Sequence, residues 1–197
     1  MKNIKTIIFS LLLALGNMSI AFAHESASLP FGSFILGFTH PVIGIDHFLA
    51  IVSVSFLSIQ SRSRAIWILP STFLVFMAAG GLLNQIQIEI ESIKMGIAIS
   101  VIGLGLLIAS DRKIPMQFSI LVVAFFAFFH GSAYSIEMPS MANTMIYIAG
   151  FLTGTIAIYL LGIMLGDIAI KYSVGYKILR NSGILIVSTG LFYFFFQ

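Results

Sequence analysis

Three of the four histidines in this chain interrupt apolar stretches, and two of them flank an aspartate: His40-Pro41-Val42-Ile43-Gly44-Ile45-Asp46-His47. The third, His130, follows Phe125-Phe126-Ala127-Phe128-Phe129, and Glu137 stands two turns beyond it. Imidazole and carboxylate are the groups that borderline divalent metals take as ligands. At membrane depth such groups are unfavourable by several kcal/mol each unless they are paired or liganded. On a helix, His40 and His47 share one face with Gly44 between them, and His130, Tyr134 and Glu137 share another. Gly44 removes a side chain where an ion or partner would approach. Asp46 points about 100° away from His47. It is either a ligand from the side or a partner that orients an imidazole.

Helix rise gives the depth of each group. His47 precedes Arg62 by fifteen residues, or roughly 22 Å, and His130 follows Lys113 by seventeen, or roughly 25 Å. The two histidines therefore reach one level in the outer half, with His40 and Glu137 roughly 10 Å further out. The set His40, Asp46, His47, His130 and Glu137 faces outward from two helices. Its two carboxylates, with neutral imidazoles, balance one divalent cation. Nitrogen and oxygen donors without sulfur suit nickel, cobalt or zinc better than copper(I). A purely structural network pinning the first span to the fourth would use the same residues, but apolar packing does that at lower cost.

The elements that must position these groups are transmembrane helices. The chain has 197 residues, of which 59% are hydrophobic and 9% charged, and its mean hydropathy is +1.07. That composition excludes a soluble domain. With no cysteine there are no disulfides and no thiolate metal sites. A pI of 9.3 would fit nucleic acid, but the basic residues sit in short clusters between spans, which is the positive-inside pattern. The expected fold is all-α, a six-helix transmembrane bundle over residues 24–197 after a signal peptide over 1–23. Lys2 and Lys5 start that signal, Ile7 to Leu15 form its core, and Ala21-Phe22-Ala23 is an A-x-A cleavage site. Cleavage leaves His24 at the mature N-terminus.

The six spans are expected near Phe31–Gln60, Ala65–Asn84, Ser92–Ser110, Ile114–Ser135, Asn143–Ile170 and Asn181–Phe196. Arg62, Arg64, Arg112, Lys113, Lys171, Lys177 and Arg180 fall in connectors on one side, and Lys94 alone falls on the other, beside Glu89 and Glu91. Both mature termini are therefore expected outside the cytoplasmic membrane, with the basic loops in the cytoplasm. Pro41 is expected in the first turn of a helix, placing His40 near its N-cap. Pro115 plays that part for the fourth span, and Pro70 predicts a kink in the second. Gly150 with Gly154, and Gly162 with Gly166, recur at the spacing that lets helices pack closely. Asp167 near Lys171 reads as an interfacial acid, and Met138, Met141 and Met145 around the outer loop as surface packing.

At the histidine residues the chain resembles the HupE/UreJ family of nickel and cobalt permeases. The run Gly37-Phe38-Thr39-His40-Pro41-Val42-Ile43-Gly44-Ile45-Asp46-His47-Phe48-Leu49-Ala50 looks like the family's H-P-x-x-G-x-D-H-x-L-A signature. Phe129-His130-Gly131-Ser132-Ala133, with Glu137-Met138-Pro139 after it, looks like its second motif. Leu69-Pro70 with Met77, Gly96 to Ser100, and Ala149-Gly150-Phe151 are lesser echoes. The chain departs from the family at Ser132, Tyr134 and Ser135, where the second motif usually carries more histidine. Tyr159 and Lys94 also stand where members often have histidine and glutamate. The resemblance implies capture of a metal at His40 and Glu137 and dehydration at Asp46, His47 and His130.

The function expected is import of a divalent transition metal, Ni²⁺ first with Co²⁺ and Zn²⁺ as alternatives, by a secondary transporter that is not an enzyme. No phosphate-binding loop motif occurs to support ATP hydrolysis. The expected partners are the metal ion and the lipid bilayer, with no nucleic acid and no resident cofactor; a cytoplasmic metallochaperone is a candidate recipient. Two alternatives stand beside this. One is a zinc-dependent intramembrane hydrolase of ceramidase-like chemistry, using Ser53 or Ser132 near the histidines. The other is a non-transporting partner subunit.

Overall fold

The computed structural model of the protein describes residues 30–61, 64–85, 93–110, 114–172 and 174–196. The expected signal peptide, His24, Arg62, Glu89, Glu91, Arg112 and Lys113 lie outside the described residues. Seven helices and no strand occur among those described: α1 (Pro30–Ile43), α2 (Ile45–Ser61), α3 (Ala65–Gln85), α4 (Ile93–Ser110), α5 (Met116–Glu137), α6 (Thr144–Ile170) and α7 (Gly175–Phe196). The last five are each long and apolar enough to cross a membrane, and α1 with α2 makes a sixth span if the pair crosses as one. The protein is thus an all-helical, multi-span membrane protein.

The first span differs from the expected straight helix. It breaks at Gly44, and its halves are bent by 72°. Gly44 is tied to both halves by the main chain, its N–H donating to His40 O at 2.8 Å and its carbonyl accepting from Phe48 N–H at 2.9 Å. The N–H of His47 leaves the helical ladder and donates to Asp46 Oδ1 at 2.8 Å. That bond satisfies one of the donors that a new helix start leaves open. His40 and Pro41 consequently lie in the last turn of α1, not at a helix start. Proline fits there because its missing N–H costs one bond beside a break that already interrupts the ladder.

The remaining boundaries agree with the expected ones within about two residues, except that α7 begins at Gly175 instead of Asn181. Lys177 and Arg180, expected in a connector, belong to its first turns. Leu179 is buried there, so packing extends the helix beyond the purely apolar run. Pro115 is the N-cap of α5. Asn143 caps α6, its side-chain oxygen accepting from Ile146 N–H at 3.2 Å. At the other end of α6, Asp167 and Lys171 form an exposed ion pair at 2.8 Å. The hydrogen bond from Lys171 to this carboxylate raises the affinity of the ammonium for its proton.

Helix α2 is the axis of the bundle and touches all six other helices. Its buried positions run almost all round it: His47, Ala50, Ile51, Ser53, Val54, Ser55, Leu57, Ser58 and Ile59. A helix buried on every side needs internal partners for each hydroxyl. Ser53, Ser55 and Ser58 supply their own by donating to Leu49 O, Ile51 O and Val54 O at 2.6, 2.9 and 2.7 Å. Outward-facing Trp67, Leu121, Phe125, Leu160 and Leu185 are exposed, as a lipid-facing shell requires.

The glycine stripe of α6 holds both halves of the broken span. Gly150 and Gly154 lie under the main-chain carbonyls of Phe34 and Phe38 on α1, whereas Gly162 and Gly166 face Ser55 and Ile59 on α2. No side chain fits at Gly150, because a Cβ there would meet the Phe34 carbonyl. Gly80 and Gly131 make the same close approach between α3 and α5. Replacement Gly150→Val is expected to destabilise the bundle by about 1–3 kcal/mol or more, seen as a lower unfolding temperature of the purified protein in detergent. Leu160→Val, on the lipid face of the same helix, should leave that temperature in place. Equal unfolding temperatures for both variants would refute the close-packing account.

Candidate metal centre

The break at Gly44 brings His40 back against His47. Their ring centroids are 5.3 Å apart and the rings meet edge to face. The straight-helix estimate that set His40 roughly 10 Å above His47 therefore does not hold, because the helix is not straight. One ligand-type atom from each of His40, His47 and Glu137 falls within 4.8 Å of the others. Three donors at such separations can surround a single ion after small rotamer adjustments, and no other group of three histidine or carboxylate side chains does so among the described residues.

Each imidazole is held by groups from other helices. The hydroxyl of Tyr147 on α6 is hydrogen-bonded to His40 Nδ1 at 2.8 Å. His40 Nε2 lies 3.2 Å from Glu137 Oε2, but out of line for a hydrogen bond. His47 Nε2–H donates to the carbonyl of His130 at 3.1 Å, and His47 Nδ1 is 3.2 Å from Asp46 Oδ1. Asp46 thereby takes the second of its two expected roles, orienting an imidazole. His130 lies behind, its ring edge to face with that of His47 at a centroid distance of 4.9 Å, with Ser100 Oγ 2.7 Å from its Nε2. His130 is not one of the three residues whose donors converge within 4.8 Å.

Burial grades along this set. The Glu137 side chain is 52% exposed, that of His40 17% and that of His47 1%, while His130 is fully buried. A group arriving from the open side would meet the carboxylate first and the deepest imidazole last. Gly44 leaves room beside it. A Cβ there would sit 3.2 Å from Asp46 Oδ1 and 3.4 Å from His47 Nδ1.

Two buried side-chain polar atoms among the described residues have no hydrogen-bond partner, His40 Nε2 and His130 Nδ1. Both are imidazole nitrogens on rings that flank His47. Interiors satisfy nearly all their buried polar groups, so bare nitrogens at this density fit a site built for a ligand that is not part of the chain.

Sequence reasoning missed Tyr147 and Ser100. Ser100 had stood out only as the end of a motif echo. The available signal was the one that revealed the histidines, a lone polar group inside a span, but hydroxyls are common there because they can bond their own helix. Tyr134, on the His130 face of α5, stacks on Phe151 at a centroid distance of 4.6 Å. Its ring lies against Gly81, where a Cβ would collide with it. Ser53 Oγ donates to Leu49 O, and Ser132 Oγ to Phe128 O and Gly80 O at 3.1 and 3.3 Å. Neither hydroxyl is hydrogen-bonded to a histidine among the described residues.

A multi-span helical membrane protein with a histidine–carboxylate cluster at a broken helix is the class that fold and geometry define. The sequence profile described as HupE / UreJ protein matches residues 11–193. The chain is 41% identical over 157 residues to Protein HupE of Rhizobium leguminosarum bv. viciae, covering 80% of this chain and 81% of that one. No solved structure matches it. The chain belongs to the HupE/UreJ family.

Second-sphere partners of metal-ligating histidines commonly matter 10- to 100-fold in affinity. Tyr147→Phe removes the hydroxyl that steadies His40 and keeps the ring that fills the core. For an ion held at the cluster, titration calorimetry on the purified variant should show binding weakened by about 10- to 100-fold with unchanged folding. Wild-type affinity would rule out a steadying role for Tyr147.

Proposed function

We propose that the protein is a permease that imports a divalent transition metal, Ni²⁺ or Co²⁺, across the cytoplasmic membrane. Entry is from the outer side, where Glu137 and His40 capture the hydrated ion; His47, oriented by Asp46, and His130 then replace part of its water. The observation that carries this reading is the pair of buried nitrogens without a hydrogen bond on either side of His47, His130 Nδ1 and His40 Nε2, the latter 3.2 Å from Glu137 Oε2. Family membership over nearly the whole chain supports a transporter-type role. The donor set supports a borderline metal, since it offers nitrogen and oxygen and no thiolate.

The site can exchange an ion for protons. Both nitrogens of His47 face acceptors, His130 O and Asp46 Oδ1. An ion that binds this ring does so by replacing a proton. With two positive charges moving inward, the membrane potential contributes about 4.6 kcal/mol per 100 mV, enough for roughly 10³-fold accumulation without ATP. The basic residues Arg64, Lys171, Lys177 and Arg180 support a cytoplasmic location for the opposite end of the bundle.

Cells expressing His47→Ala or His130→Ala at wild-type protein levels should lose at least about 90% of nickel and cobalt accumulation, because removing one ligand from a small set lowers affinity tenfold or more. Undiminished uptake in both variants would end the proposal. Proton competition sets the direction of the pH dependence. Metal uptake by the protein in liposomes at fixed voltage should fall as external pH drops from 7 to 5, since protonated imidazole has no lone pair for the ion. A rate that rises with acid would contradict the assigned ligands.

A further inference from the structure

We propose that Ser100 is a positioning residue that holds His130 in one tautomer, with its proton on Nε2 and a free lone pair on Nδ1. The inference rests on the metal-site reading above and adds to it the ligand atom of His130 and the residue that selects it. Ser100 on α4 and His130 on α5 are both fully buried. Ser100 Oγ lies 2.7 Å from His130 Nε2 and 2.7 Å from Ile97 O. A hydroxyl has one hydrogen to give and can accept through its lone pairs.

A carbonyl oxygen only accepts, so the short contact to Ile97 is a bond donated by Ser100. Its hydrogen is thereby used, and Oγ accepts from His130 Nε2–H. The chain Nε2–H to Oγ–H to carbonyl oxygen satisfies both contacts at once. The reverse assignment fails twice. Donation from Ser100 to Nε2 would abandon Ile97 O and move the ring proton to Nδ1, which meets no acceptor. That tautomer leaves a bare N–H in the interior. The Nε2–H tautomer leaves a bare lone pair, which is the group a metal takes.

His47 is set the same way by His130 itself. Its Nε2–H donates to the His130 carbonyl, which can only accept. Its Nδ1 faces Asp46 Oδ1 at 3.2 Å, where an ion would take the place of the proton that joins them. Both buried rings anchor through Nε2–H, and of their two Nδ1 atoms only that of His130 is without a hydrogen bond. Ser100 is the outermost member of this relay and reaches the site from a third helix, α4.

The test is the ring-nitrogen NMR spectrum of metal-free protein with ¹⁵N-labelled histidine in nanodiscs, which distinguishes the two tautomers directly. Wild-type His130 should appear as the Nε2–H form. Ser100→Ala should shift it toward a mixture or the Nδ1–H form, and Ser100→Thr, which keeps the hydroxyl, should hold it. Ni²⁺ affinity should weaken by about 10- to 100-fold in Ser100→Ala and return in Ser100→Thr. Finding wild-type His130 as Nδ1–H overturns the proposal without any variant. So does a tautomer and affinity indifferent to Ser100→Ala. A tautomer that follows residue 100 in a protein whose uptake ignores His47 and His130 would sink the transport reading and leave the positioning role standing.

Discussion

Imidazole nitrogens without hydrogen bonds, deep in a bundle surrounded by lipid, are the constraint around which the rest of the structure is arranged. Polar groups at that depth are unfavourable unless something compensates them. Most here are compensated within the chain. Serines of α2 bond their own helix, Ser58 also meets Tyr159 across to α6 at 2.6 Å, and Gln60 reaches Ile108 O at 3.1 Å. Against that background the bare nitrogens of His40 and His130 are exceptions, and both belong to one cluster. The ion proposed for this site would compensate both at once.

The cluster depends on a break in the central span. Continuous helix would carry His40 up and away from His47, at the rise of an ordinary turn. The 72° bend at Gly44 folds it back. Broken helices at membrane depth are tolerated where the freed main-chain groups are buried in protein or line a cavity. Here Asp46 takes up the N–H of His47 and α6 braces both halves. The glycines of α6 are what allow one helix to serve two misaligned partners. Gly150 and Gly154 admit the main chain of α1, while Gly162 and Gly166 admit side chains of α2.

The second level of organisation is orientation of the ligand rings by hydrogen bonds from separate helices. Tyr147 comes from α6, Ser100 from α4, and the His130 carbonyl from α5. Each imidazole is thus fixed by an element other than its own. Hydrogen bonds of this kind preorganise the rings, as the proposed ion site would require.

Sequence alone was enough for the helical spans, because long apolar runs have one stable outcome in lipid, and Ala65 through Ile170 show it with boundaries close to those expected. It was also enough to single out His40, Asp46, His47, His130 and Glu137, since charged and imidazole groups in such runs stand out by composition. It misplaced the first span as a straight rod, put His40 at a helix start, and passed over Ser100 and Tyr147. Those features were decided by tertiary contact. Whether a glycine between two apolar turns bends depends on what braces the halves, and that bracing comes from α6, about a hundred residues away in the chain. Which nitrogen of a histidine carries its proton likewise depends on the partner another helix brings to it, and no spacing along the chain records that.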